Sequence, residues 1–146
     1  MAKKKQGKKT VLQWLLYIVS IYHLLLGVLT IFAKDLTVGL AKLAFNFNLT
    51  LTDQVYWVVN PLAAYLLAFG LFTWVAATNP VKYKKIIFAG VILFGVRVVQ
   101  RLFFFLTAPK SLVSNVDPVR GVLFLLSITA LGVALFILAR KLPDSK

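Results

Sequence analysis

Four long apolar runs, at about 11–33, 55–78, 86–108 and 119–139, are separated by short polar stretches along the chain. At ~1.5 Å of rise per helical residue, each is long enough to cross the ~30 Å hydrocarbon core of a bilayer. Pro61 falls in the first turns of the second run, where a missing N–H costs little. Asn79-Pro80 and Asp117-Pro118 punctuate the connections, and Pro118 stands where a helix begins. The pattern predicts an all-α integral membrane protein: a four-transmembrane-helix bundle in a single membrane domain over 11–146, preceded by a basic tail over 1–10. The first run follows a basic segment, as a signal peptide would. Its apolar stretch is too long for that role and no A-x-A-like site precedes Lys34, so it is expected to remain as a span.

Residues 34–54 form the one sizeable connection. Leu36, Leu40 and Leu43 recur at helical spacing, which predicts a short helix lying on the surface. The period then changes. Phe45, Phe47, Leu49 and Leu51 alternate with Asn46, Asn48, Thr50 and Thr52, as in a strand. Two arrangements satisfy that alternation. In one, an extended segment rests its apolar row on the membrane while water serves its backbone; in the other, it pairs with an edge strand of another subunit. Asn48-Leu49-Thr50 matches the short N-glycosylation pattern on the non-cytoplasmic side, a chance match unless the source is eukaryotic.

Polar residues within the runs are the informative ones, because hydrocarbon penalises them. Arg97 falls near the middle of the third run, Arg101 lies one turn further on the same face, and Gln100 borders it. A central Arg costs about 2.5–3.5 kcal/mol on insertion scales, so it is expected to face protein or water. In the first run Gln13, Tyr17, Ser20, His23, Gly27 and Thr30 follow steps of three and four and share a face. Asn60, Ala64, Leu67 and Ala77 do so in the second run, and Arg120, Ser127, Ala130 and Ala134 in the fourth. Small residues at such spacings let helix backbones approach closely. Counted from the outer ends, His23 and Arg97 both lie roughly 15 Å deep. The helices are thus expected to gather His23, Asn60, Arg97, Gln100, Arg101 and Ser127 into one polar layer.

That layer contains no acid, since Asp35, Asp53, Asp117 and Asp144 all lie outside the runs and the chain has no Glu. Its guanidinium groups therefore need carbonyls, water, a lipid phosphate, an anionic ligand or another subunit's carboxylate. Arg101 can also reach outward along its stem. His23 has two readings: a hydrogen bond across helices, or a ligand to haem iron or a pigment's magnesium. A bis-His haem is excluded, because His23 is the chain's one histidine.

Composition sharpens the picture. The chain is 60% hydrophobic with a mean hydropathy of +0.87 and only 14% charged residues. A soluble domain carries about 25% charged residues, and a chain of 146 residues has too little interior to hide so much apolar surface from water. The net charge of +13 raises nucleic-acid binding. The basic residues sit almost entirely between and beyond the apolar runs, which is the membrane pattern, so no nucleic-acid partner is expected. One side collects Lys3, Lys4, Lys5, Lys8, Lys9, Lys82, Lys84, Lys85, Arg140, Lys141 and Lys146, the other only Lys34, Lys42, Lys110 and Arg120. This asymmetry predicts that both termini are cytoplasmic, in a bacterial or archaeal cytoplasmic membrane. Lys3, Lys4, Lys5, Lys8 and Lys9 are expected to lie at the membrane surface, drawn to anionic headgroups. Trp14, Trp57 and Tyr56 fall near the interfaces, as amphipathic rings prefer.

The chemistry-bearing residues are few. With no Cys there is no disulfide or thiolate metal site, and no metal site is expected. H-E-x-x-H, P-loop, G-x-G-x-x-G and G-x-S-x-G motifs are missing, and no carboxylate is placed to orient His23 as a general base, so the chain is not expected to be an enzyme. The stretch Asn60-Pro61-Leu62-Ala63-Ala64-Tyr65-Leu66-Leu67-Ala68-Phe69-Gly70 is followed by the basic loop Asn79-Pro80-Val81-Lys82-Tyr83-Lys84-Lys85 and an Arg-bearing helix. Over about 55–108 this resembles small four-helix membrane proteins of the DoxX-like type; the resemblance implies a four-helix bundle and transfers no site residues. Three functional readings follow from the residues. The first is a non-catalytic accessory subunit of a larger membrane complex, docked through Arg97, Arg101, Gln100, Asn60, Ser127 and the outer loop, with membrane lipids and other membrane subunits as partners. The second is a small transporter or binding protein for an anionic or lipidic molecule. The third is a pigment- or haem-carrying protein using His23, although no cofactor beyond possible lipid is expected.

Overall fold

Three of the four long helices begin on a side chain that serves orphan N–H groups. Thr10 accepts from the Gln13 amide while the Gln13 side chain accepts from the Thr10 N–H, a reciprocal cap. Thr52 accepts from Val55 N, and Asp117 accepts from Val119 N and Arg120 N ahead of Pro118. The computed structural model describes residues 10–46, 52–107 and 117–143. Among these residues there are five helices and no strands: α1 Val11–Phe32, α2 Lys34–Phe45, α3 Asp53–Thr78, α4 Lys84–Thr107 and α5 Pro118–Arg140. Four of them, α1, α3, α4 and α5, are long and apolar enough to cross a membrane. Their outward faces carry Phe32, Trp57, Leu71, Phe103 and Leu123 exposed, a surface that suits lipid rather than water. This is an integral membrane protein.

Two sequence expectations change. Because α3 starts at Asp53, Pro61 sits in its third turn, where the Trp57 carbonyl has no i+4 N–H to accept from. Phe45 closes α2, and Asn46 caps it in the left-handed region at φ 52°, ψ 35° with its N–H on Lys42 O. The alternating run therefore starts as a helix end, since Asn tolerates the left-handed conformation that stops a helix. Thr52 caps α3, and the rest of that run, with Asn48-Leu49-Thr50, lies outside the described residues, as do Lys3, Lys4, Lys5, Lys8 and Lys9. The short surface helix expected from Leu36, Leu40 and Leu43 is α2, and all three leucines are exposed.

The bundle is built from two tight antiparallel pairs, α1 with α3 and α4 with α5. In the first pair Gly27 lies against Leu67 and Gly70 against Leu24, so each glycine receives the other helix's leucine. A Cβ on Gly70 would stand 2.7 Å from Leu24 Cγ and 3.0 Å from its backbone nitrogen. No other residue permits that approach without displacing a helix. Gln13 and Ser20 then reach across to the Ala77 and Gly70 carbonyls, at 3.1 Å and 2.7 Å. In the second pair Gly121 meets the Phe105 ring, Gly132 meets Phe94, and Phe88 packs edge-on to Phe136. The two pairs touch less extensively, chiefly through Phe69 on α3, which lies over Gly90 and edge-on to Phe94 of α4.

Candidate functional site

His23 lies at that junction. The buried face of α1 is the one its polar spacing predicts, with Ser20, His23, Gly27 and Thr30 all turned inward. His23 is 2% exposed, and its ring meets Phe69 at 4.7 Å and Phe94 at 6.5 Å, both edge-on. Its Nδ1 lies 2.7 Å from Val19 O one turn back, and its Nε2 lies 3.2 Å from Arg97 Nη1 of α4. A carbonyl can only accept and a guanidinium can only donate. We therefore assign the neutral tautomer with its proton on Nδ1, the one form in which both contacts are hydrogen bonds. A neutral imidazole takes the place beside Arg97 that a carboxylate would occupy in a soluble core.

Arg97 is half-buried, ten residues from the C-terminal end of α4, which puts it about 15 Å along the helix from that end. Its Cζ lies 5.4 Å from the Tyr65 ring centroid and 5.9 Å from that of Phe69, so aromatic faces on α3 share the charge. Arg101, one turn on, places its Cζ 5.6 Å over Phe124 of α5. One cation thus faces each helix pair. The guanidinium of Arg97 has five N–H donors, of which His23 engages one group. Among the described residues no fully buried side-chain nitrogen or oxygen lacks a partner, so the nitrogens of Arg97 that His23 does not engage are not sealed in the core. Asp35, Asp53 and Asp117 sit at the starts of α2, α3 and α5.

Of the six residues expected in one polar layer, the structure brings together His23 and Arg97, with Arg101 adjacent. Asn60, Gln100 and Ser127 are exposed on the outside of the bundle. Ser127 donates to Leu123 O of its own helix at 2.8 Å, so its hydroxyl is satisfied without an interior neighbour. The faces assigned to the second and fourth runs move accordingly. On α3 the buried face holds Ala63, Leu66, Phe69, Gly70, Thr73, Ala76 and Ala77, while Ala64 is exposed. On α5 it holds Gly121, Ile128, Gly132, Leu135 and Ala139, while Arg120 and Ala130 are exposed. Tyr65, Phe69, Phe94 and Phe124 complete the site without having been singled out by polarity. Their signal is positional: Tyr65 and Phe69 are one turn apart on α3, and Phe94 precedes Arg97 by nearly one turn.

Metal binding at His23 fits this geometry poorly. A metal at Nε2 would displace Arg97 and set a second positive charge beside it, and Nδ1 is committed to Val19 O. Among the described residues no group of three or more His, Cys, Asp or Glu side chains is placed to hold a metal ion. Comparison with protein-family models, curated proteins and solved structures finds no match to this chain.

Proposed function

We propose that this protein is a non-catalytic accessory subunit of a larger membrane complex, in which Arg97, with Arg101 one turn away, receives an acidic group from a neighbouring subunit. The observation that carries this reading is the deep guanidinium of Arg97, held by a neutral imidazole and two ring faces and not sealed in the core. A carboxylate on a partner helix supplies charge-assisted hydrogen bonds that none of these neighbours offers. The thin inventory of catalytic side chains agrees with a binding role rather than a reaction. Both termini lie on the cytoplasmic side in this scheme, as the basic residues at the ends of α3, α4 and α5 favour.

The test is purification of the full chain from its native membrane in mild detergent, followed by cross-linking mass spectrometry. Discrete membrane-protein neighbours are expected, lost in Arg97→Leu more than in Arg101→Leu, with helix content unchanged in both. A wild-type chain that runs as a monomer carrying a stoichiometric organic anion would replace this reading with that of a small anion- or lipid-binding protein. Identical neighbours for wild type and both variants would remove Arg97 from the docking surface.

A further inference from the structure

Gly95 lies two residues from Arg97 and therefore on the opposite face of α4, about 200° around the helix. There the α4–α5 pair leaves an open apolar groove of about 380 Å³, with Val91, Gly95 and Val99 on one wall and Thr129, Val133 and Phe136 on the other. Continued toward the end of the bundle where α4 starts and α5 finishes, both walls become basic. The α5 wall steps from Val133 and Phe136 to Arg140, whose Cζ sits 5.6 Å over the Phe136 ring. The α4 wall steps from Val91 through Phe88 toward Lys84 and exposed Lys85. Lys84 donates to Leu142 O at 2.9 Å and so ties the end of α5 to the start of α4, fixing the rim. Gly95 is eleven residues from Lys84, about 16 Å along the helix, which is the depth of the midplane of a ~30 Å hydrocarbon core.

We infer that this groove is a binding site for an anionic phospholipid, its phosphate held by Arg140 and Lys85 at the rim and one acyl chain laid between α4 and α5 as far as Gly95. The occupant follows from the pairing of features. An apolar groove that reaches the depth of the midplane suits the end of an acyl chain, and a cationic rim selects a negative headgroup over a zwitterionic one. A side chain placed at Gly95 would enter the groove, since a Cβ there meets nothing within 4 Å. The site is separate from the Arg97 face and does not depend on a partner subunit.

The experiment is native mass spectrometry of the full-length protein in mild detergent, titrated with phosphatidylglycerol or phosphatidylcholine of identical chains. Wild type is expected to retain one phosphatidylglycerol in preference to phosphatidylcholine. Arg140→Gln and Lys85→Gln are each expected to lower that preference roughly five-fold, as removal of one surface charge predicts. Gly95→Leu points into open space and fills the channel without touching the core, and Val133→Trp does so from the other wall. Both are expected to weaken retention of phosphatidylglycerol with unchanged helix content and an unfolding midpoint no lower than that of wild type. Equal retention of the two lipids by wild type would overturn the inference. So would charge variants that lose the lipid while both groove-filling variants keep it, because that pattern is surface attraction alone. A stable dimer that Gly95→Leu dissociates, with no lipid retained, would assign the groove to a second copy of the chain instead.

Discussion

Replacing His23 by Leu tests the centre of the site, because it removes the acceptor of Arg97 while keeping much of the ring's volume. Two magnitudes bracket the effect. Neutral hydrogen bonds between membrane helices average about 0.6 kcal/mol and reach about 1.7. A hydrogen bond to a charged group contributes about 1.5–3 kcal/mol in a water-excluding core. His23 is 2% exposed, so nothing competes for its Nε2, which argues for the upper range. Arg97 is only half-buried, which pulls the value down. A coupling of about 1.5 kcal/mol follows, about twelve-fold in the unfolding equilibrium. The assay is a double-mutant cycle of His23→Leu and Arg97→Leu, followed by tryptophan fluorescence through an SDS titration in mixed micelles. His23→Gln, whose amide oxygen can accept at similar reach, is expected to recover part of the loss. Additivity of the two Leu variants within about 0.5 kcal/mol would refute the hydrogen bond as an energetic contact.

Three further outcomes are expected. Gly70→Ala drives a methyl into Leu24 and is expected to destabilise the protein by about 1–3 kcal/mol, whereas Gly95→Ala enters open space and gains up to about 1 kcal/mol from helix propensity, so the same titration reads opposite signs. Ser20→Ala removes one donor from Gly70 O, but Thr73 Oγ1, 2.8 Å from Phe69 O and 3.0 Å from Gly70 O, can turn its one proton to the freed carbonyl, so the loss is expected near 0.5 kcal/mol and larger in a Thr73→Val background. Arg120 Nη1 donates to Leu43 O at 2.6 Å and its Nε lies 3.4 Å from Asp117, so Arg120→Ala is expected to speed amide exchange across α2 roughly five-fold while α1 and α3 stay protected.

The long helices were legible because hydrocarbon thickness sets a minimum length for an apolar run, and those runs carry caps such as Thr10 and Asp117 at their starts. The helix α2 was legible from three leucines at helical spacing. The inward face of α1 was legible because Gln13, Ser20 and His23 need acceptors or donors from other backbone and side chains. The face of α3 was legible only at Leu67 and Ala77, which meet α1, and that of α5 was not. Lipid does not penalise an outward Leu, and a serine such as Ser127 bonds the carbonyl one turn back, so polarity there carries no direction. Depth matching paired His23 with Arg97, since the cost of a buried charge depends on depth. It overlooked Tyr65, Phe69 and Phe124, because aromatic rings are common throughout these helices and become informative only once a guanidinium is placed over them.

The pairing of an early helix with a late charge also bears on biosynthesis. His23 leaves the ribosome more than seventy residues before Arg97, and α1 and α3 can already clasp through Gly27 and Gly70 while α4 is still being made. The span that is hardest to deliver to the bilayer therefore arrives where its acceptor is waiting. A truncated chain beginning at α4 would have to partition its arginine into lipid unaided, and should be left behind by the insertion machinery far more often than the same helix in its own chain.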